Sequence, residues 1–308
     1  MISIAMATYN GEKYLRKQLD SIYNQTFKDF ELVVCDDAST DSTVSILKEY
    51  HGQYGLKYYI NEKNLGYIKN FEKAVSLCSG EYIALSDQDD IWVPEKLEIL
   101  LKEIGSYSLI CSDADLINET GDVFFYSFRK YDNIYIPKED KQFNNLFYSN
   151  FVTGCTCLFK KEILKEAFPF PDNIPHDWWL AIHASLNQKI KYLYLSLVQY
   201  RQHSGNAIGS VRNNKIKNTI KLNRKEKIFK EINSKILLIT KVKDLLLIEN
   251  ECVINLSNAV NDLVKFKISI SKGFFHWRAF LIAFKYRNLI YPKQGIKKYL
   301  FIISKLIV

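Results

Sequence analysis

Residues 2–37 read ISIAMATYNGEKYLRKQLDSIYNQTFKDFELVVCDD, and this stretch decides the fold class. Its opening run, Ile2–Thr8, is apolar and β-rich; Tyr14, Leu15, Leu19 and Ile22 then recur on one stripe of a helix over 12–23, and residues 30–35 make a second strand. Strand, helix and strand in that order form a βαβ unit with parallel strands. The alternation continues outward, through a helix at 41–50 with Ser39 or Asp41 as N-cap, strand Lys57–Ile60, a helix at 66–78 and strand Tyr82–Ser86. A helix from Pro94 to Ile104 and a strand at 108–117 come next. The predicted class is α/β: a Rossmann-like, mainly parallel mixed sheet with flanking helices. Residues 121–205 are less periodic, with helices expected near 144–148 and 177–186, a strand and helix across 156–167 and a strand at 192–200.

Composition agrees with a folded globular chain. Of 308 residues 47% are hydrophobic and 25% charged, and 12 Gly with 6 Pro are too few for a collagen-like or low-complexity chain. Six dispersed cysteines (Cys35, Cys78, Cys111, Cys155, Cys157, Cys252) give neither a disulfide scaffold nor paired zinc spacing, so they read as reduced thiols of a cytoplasmic protein. No basic segment precedes the apolar start, and Lys or Arg interrupts every apolar run in the C-terminal third, so neither a secretory signal nor a spanning helix is expected.

Charge divides the chain. Residues 1–205 carry 21 Lys/Arg against 28 Asp/Glu, whereas residues 206–308 carry 21 against 6, so a net −7 is followed by a net +15. The basic part interleaves cations with aromatics such as Phe274, Phe275, Trp277 and Phe280, a mixture that suits an anionic membrane surface as well as a solvated helical face. Nucleic acid is disfavoured, because no helix-turn-helix, RNP or zinc-finger signature accompanies the charge and the first two-thirds is acidic.

In parallel sheets ligands gather at the carboxyl ends of strands, and three predicted strand ends are polar. Thr8, Tyr9 and Asn10 follow the first, Asp36 and Asp37 the second, and Asp87, Gln88, Asp89 and Asp90 the fourth. Three carboxylates in four residues repel one another unless a cation offsets them, and hard oxygen donors suit Mg2+ or Mn2+ bridging a diphosphate; acidic residues before a helix would also complement its dipole. Asp36 and Asp37 can accept from a ribose or base, or serve the turn 36–41. Asp177 stands between His176 and the pair Trp178 and Trp179, where indoles could exclude water around a general base or simply pack behind an N-cap. His203 lies where the charge changes sign and suits a metal, a phosphate or plain solvent. There is no G-x-G-x-x-G after the first strand, no P-loop and no nucleophile elbow, so dinucleotide, P-loop and Ser-hydrolase chemistries lose their support.

Taken in order, these residues resemble the inverting family 2 glycosyltransferases of GT-A fold. The likeness runs from Ile2 to about Asn206 and rests on Ala7-Thr8-Tyr9-Asn10, Gln25-Thr26-Phe27, Asp36-Asp37-Ala38-Ser39-Thr40-Asp41, Asn64-Leu65-Gly66, Gly80-Glu81-Tyr82 and the acidic cluster. It implies a glycosyltransferase domain over 1–208, with a nucleotide-sugar half (1–120) and an acceptor half (121–208), followed by a basic helical region over 209–308 for membrane-surface attachment. Thr8, Tyr9, Asn10 and Asp37 would hold base and ribose, Tyr9 by stacking. Asn64, Lys69 and Asp87 would lie near the nucleotide or diphosphate, and Asp87, Asp89 and His203 would bind Mn2+ or Mg2+. Asp177 would be the catalytic base, with His176, Trp178 and Trp179 in the acceptor pocket. The family often has an acidic pair where this chain has His176-Asp177. Residues 87–92 and 176–179 look most like the bacterial rhamnosyltransferase-like branch, which implies a dTDP-L-rhamnose or UDP-hexose donor, a glycan or lipid-linked acceptor in surface polysaccharide synthesis, and a place on the inner face of the cytoplasmic membrane. A nucleotidyltransferase would want a Gly- and Lys/Arg-rich first loop, which is absent; an inactive nucleotide-sugar-binding or scaffolding subunit is the alternative outside catalysis.

Overall fold

A computed structural model of the chain describes residues 1–146, 149–187 and 189–205. The basic helical region expected over 209–308 lies outside the described residues, as does Cys252. The elements of the first half are β1 (Ile2–Thr8), α1 (Leu15–Tyr23), β2 (Phe30–Asp36), α2 (Thr43–Tyr54), β3 (Lys57–Ile60), α3 (Tyr67–Ser76) and β4 (Tyr82–Ser86). After the acidic cluster come β5 (Ile91–Trp92), α4 (Lys96–Ile104), β6 (Leu109–Ile117), β7 (Val123–Phe125) and α5 (Phe128–Tyr131). The chain then passes through α6 (Gln142–Leu146), β8 (Cys157–Lys160), α7 (Leu164–Ala167), α8 (His176–Asn187) and β9 (Ile190–Arg201).

The strands form one sheet in the order β3-β2-β1-β4-β8-β6-β9-β5, with β7 paired to the far end of β6. β1 sits between β2 and β4, parallel to both, and is buried almost throughout, as expected of a central strand covered on both faces. β3 is an edge strand and is mostly exposed. The sequence pattern reached this parallel half and, beyond it, the strands at 108–117, within 156–167 and at 192–200, but not β5, β7 or the antiparallel pairing. β8 enters antiparallel between β4 and β6, and β5 pairs antiparallel with β9, so the sheet is as much antiparallel as parallel. Two-residue β5 gives no period to detect, and β9 carries register shifts against β6 that break its alternation.

The core follows the predicted stripes: Leu15, Leu19 and Ile22 of α1 pack with Ile2, Ile4 and Met6 of β1 and Leu97, Leu100 and Ile104 of α4. Gln25 fixes α1 to the 93–97 segment that leads into α4. Its amide nitrogen donates to the Val93 carbonyl oxygen at 2.8 Å and its oxygen accepts from the Leu97 N–H at 3.0 Å, so a fully buried polar side chain is satisfied on both sides. Order among strands 3-2-1-4 reverses between β1 and β4, and their carboxyl ends therefore flank the crevice in which α/β sheets bind ligands.

Trp179 is the largest fully buried side chain, with its indole N–H on the Ala167 carbonyl oxygen at 2.7 Å. Trp179→Ala should cost about 3–5 kcal/mol of stability in urea melts. Tyr194→Ala, at a site 67% exposed, should stay within about 0.5 kcal/mol.

Candidate active site

The crevice between β1 and β4 is lined by the predicted polar clusters, and their side chains bond chiefly to one another. The Thr8 hydroxyl donates to Asp36 Oδ1 at 2.8 Å, and the same carboxylate takes the Ser39 N–H and hydroxyl. Asn10 adopts a left-handed backbone, φ 47°, which asparagine tolerates; its N–H donates to Ser39 Oγ and its Oδ1 accepts from the Thr40 N–H. Asp37 is buried and accepts from the Asn61 amide and from the Leu65 and Gly66 N–H groups, holding the 61–66 loop over the end of β2. Asn64 caps Gly66 from the same loop. Tyr9, 47% exposed, is the aromatic face that this arrangement leaves open.

Two of the expected donor-site groups already have protein partners. The Lys69 ammonium is drawn to the 168–172 segment, pairing with Glu72 and Asp172 and donating to the Phe170 carbonyl oxygen. The Thr8 hydroxyl is bonded to Asp36. Both placements have one cause: sequence shows that a side chain is polar but not which neighbour reaches it first.

The acidic cluster splits at the end of β4. Asp89 Oδ2 meets His203 Nε2 at 2.7 Å, while Asp87, Asp90 and Cys155 offer ligand atoms all within 4.8 Å of one another. Asp90 and Cys155 were not among the expected metal residues, and only Asp90 had a signal, its place in the run of acids. Arg201, fully buried at the end of β9, grips the loop: its N–H donates to Asp90 Oδ1 and its Nε to the Asp89 carbonyl oxygen. Beneath lies Lys96, also fully buried, donating to the Cys155 carbonyl oxygen at 2.6 Å with its ammonium 3.2 Å from the centre of the Trp92 ring.

Burial and crowding govern the charges. Burial, then the neighbouring Asp90 and Asp89 carboxylates, push Asp87 well above the usual range, and burial with Asp89 pushes Asp90 up to about 7. Burial lowers Lys96 to about 7. Asp90 Oδ2 is buried with no well-formed hydrogen bond, the Cys155 thiol being the group that partly steadies it. Carboxylates short of positive charge suit a divalent cation, and the ligand atoms that the fold gathers are those of Asp87, Asp90 and Cys155, while the expected Asp89 and His203 bond each other.

Asp177 opens α8. Its Oδ1 accepts from the adjacent Trp178 N–H, and its Oδ2 accepts at 3.1 Å from the N–H of Gly154, in the single turn Gly154–Thr156 that also carries Cys155. Burial pushes its carboxyl up to about 6, the Trp178 and Gly154 N–H groups holding the rise down. The expected acceptor-pocket residues are packed inward instead. His176 is buried against Phe71 with ring centres 3.9 Å apart, and burial drops it to about 3; the Trp178 indole N–H donates to the Leu146 carbonyl oxygen, and Trp179 is core. Trp178 stays half-buried beside Asp177, while His176 and Trp179 are buried.

Against known proteins, residues 3–168, more than half of the chain, match the family described as Glycosyl transferase family 2. The chain belongs to that family. Among family 2 relatives it is 31% identical over 221 residues to the dTDP-rhamnosyl transferase RfbG of Shigella flexneri, covering 67% of this chain and 74% of that one. It is 32% identical over 211 residues to a glycosyltransferase of Methanocaldococcus jannaschii, covering 65% and 70%. The fold is GT-A: the structure of S. aureus TarS 1-349 in complex with UDP-GlcNAc aligns with TM-score 0.56 at 19% identity, covering 96% of this chain and 77% of that one. The mannosyltransferase PcManGT from Pyrobaculum calidifontis, in complex with GDP-Man and Mn2+, aligns with TM-score 0.51 at 15% identity over 99% and 83%. No helix among the described residues is long and apolar enough to cross a membrane.

The raised carboxyl of Asp90 has a sign that can be measured. A folded-state pKa of about 7 above the ordinary 3.8 means that the fold holds a proton the unfolded chain releases, so this group's stabilisation is full at low pH and is lost as pH rises from about 4 to about 7. Asp90→Asn removes the loss and keeps an oxygen for the Arg201 N–H. Without metal, the variant's melting temperature should gain on wild type between pH 4.5 and pH 7.5.

Proposed function

We propose that the protein is an inverting glycosyltransferase that moves a sugar from a nucleoside-diphosphate donor to a hydroxyl of a glycan or lipid-linked acceptor in bacterial surface polysaccharide synthesis. The turn Gly154–Thr156 carries this reading. Gly154 holds Asp177, and the next residue, Cys155, adjoins Asp87 and Asp90, so a carboxylate tuned to about 6 stands beside the acidic cluster. The RfbG relative favours dTDP-L-rhamnose as donor, a UDP-hexose being the alternative.

Tyr9 stacks on the base, and Asp37, with Asn10 and Asn64 shaping the loops around it, accepts from base or ribose. Ionised Asp177 takes the proton of the acceptor hydroxyl; that oxygen attacks the anomeric carbon opposite the diphosphate, whose bond to carbon breaks with the electron pair, and the configuration inverts. From dTDP-β-L-rhamnose the product is an α-L-rhamnoside. A divalent cation, Mn2+ or Mg2+, held by Asp87, Asp89 and His203 supplies positive charge to the leaving diphosphate when bound. Residues 206–308, with their net +15, hold the enzyme to the anionic inner face of the cytoplasmic membrane, where lipid-linked acceptors reside.

Thermal melts with dTDP, UDP, GDP, CDP and NAD, each with and without Mn2+ or Mg2+, test the donor site. Stabilisation by dTDP or UDP only with metal is expected; silence toward every diphosphate would overturn the reading. Donor turnover should rise with pH through about 6, because the base works only when ionised, and Asp177→Asn should lower kcat by about 10²–10⁴-fold. For the membrane, the full chain should float with anionic vesicles at low salt, and not with neutral vesicles or at high salt.

A further inference from the structure

Parallel pairing between β1 and β4 begins with Ile2 opposite Tyr82 and ends with Met6 opposite Ser86. Past that point the chains diverge: β1 continues along β2 until Thr8 lies opposite Asp36, and the other chain enters the acidic loop. A side chain bridges the opening. Gln88 Oε1 accepts from the Tyr9 N–H at 2.8 Å, and Gln88 Nε2 donates to the Tyr9 carbonyl oxygen at 3.0 Å. A primary amide presents a donor and an acceptor side by side as a peptide group does, so Gln88 pairs with Tyr9 as one more strand residue would.

Room for this amide depends on Gly11. A Cβ there would lie 2.3 Å from Gln88 Oε1, closer than atoms can stand, so any side chain at 11 would expel the amide. On the other side Asn10 is pinned by Ser39 and Thr40. The backbone beneath the open Tyr9 ring is therefore held both by the acidic loop and by the loop after β2.

We propose that Gln88 is a positioning residue that locks the Tyr9 backbone, and so the point from which the ring springs, to the acidic loop, making the aromatic platform and the diphosphate-holding carboxylates one preformed site for a nucleoside diphosphate. This rests on the reading of the crevice as the donor site. The gain is preorganisation: a backbone already fixed loses less freedom when a base stacks on the ring it carries. Gln88 does not touch the reacting atoms, so its effect belongs in donor binding and not in the chemical step. Glutamate at 88 would keep the acceptor for the Tyr9 N–H, set an oxygen against the Tyr9 carbonyl and add a fourth carboxylate to the cluster.

The experiment is calorimetry with Mn2+ present, using dTDP, UDP and inorganic pyrophosphate on the full chain. Gln88→Ala should weaken the nucleoside diphosphate that wild type binds by about three- to tenfold, raise donor KM in step, keep kcat within about twofold and leave pyrophosphate binding unchanged. Gly11→Ala, which expels the same amide from the opposite side, should do the same and serves if Gln88→Ala fails to fold. In a Tyr9→Ala background the Gln88→Ala effect should vanish, since residues acting through one contact are not additive. Unchanged nucleotide affinity, equal weakening of pyrophosphate and nucleotide, or additive Gln88 and Tyr9 effects would overturn the proposal while leaving the donor site standing. Failure of wild type to bind any nucleoside diphosphate would overturn both.

Discussion

Negative charge packed at the end of β4 is the constraint around which the rest of the domain is arranged. Asp87, Asp89 and Asp90 fall within four residues, two of them buried and the third only partly open. Carboxylates so placed repel one another and lose hydration together, which costs several kcal/mol per ion unless partners are near. The fold brings those partners from distant parts of the chain: Arg201 and His203 from the end of β9, Lys96 from the start of α4. The offset is incomplete, as the raised carboxyls of Asp87 and Asp90 and the lowered ammonium of Lys96 show. Carboxylates left short of positive charge are chemically suited to a divalent cation.

The same arrangement explains the antiparallel half. β8 lies between β4 and β6, and the turn leading into it carries Gly154 and Cys155 to the acidic loop; β9 runs beside β6 and delivers Arg201 to the same place. Asp177 depends on that turn for one of its hydrogen bonds, so Asp177 and the acidic cluster share a support. Electrostatic preorganisation works this way, with donors and charges fixed by neighbours before any substrate arrives. The inward packing of His176, Trp178 and Trp179 belongs to this support: they anchor the helix start that aims the carboxylate.

Legibility followed periodicity. Between residues 2 and 117 most strands and helices bury a regular face, so stripes such as Leu15, Leu19 and Ile22 announce their elements, and the polar residues at strand ends announce a candidate site. α1 begins at Leu15, three residues after the expected start, and α8 at His176, one before, within the ordinary fraying of helix ends. From 121 onward short elements predominate. Three-residue β7 and four-residue α5, like two-residue β5 before them, are made by their neighbours and carry no signal of their own. Within the site, Asp87, Asp89, Asp177 and Tyr9 could be picked out because their residue types are unusual at those places. Lys96 and Cys155 could not, since a lysine at a helix start and a small thiol in an apolar run look ordinary until the chain folds over them.

Sequence by itself determined the class of fold and which polar residues stand at the carboxyl ends of strands as a candidate site, because backbone periodicity and strand topology are local. Tertiary structure alone decided which polar groups remain available. Thr8 and Lys69 are consumed by Asp36 and by Glu72 and Asp172; Asp89 is turned to His203, 114 residues away; Gln88 reaches Tyr9 across 79 residues. Hydrogen bonding and charge pairing are settled by distances of a few ångströms in the folded state, and separation along the chain holds no record of them.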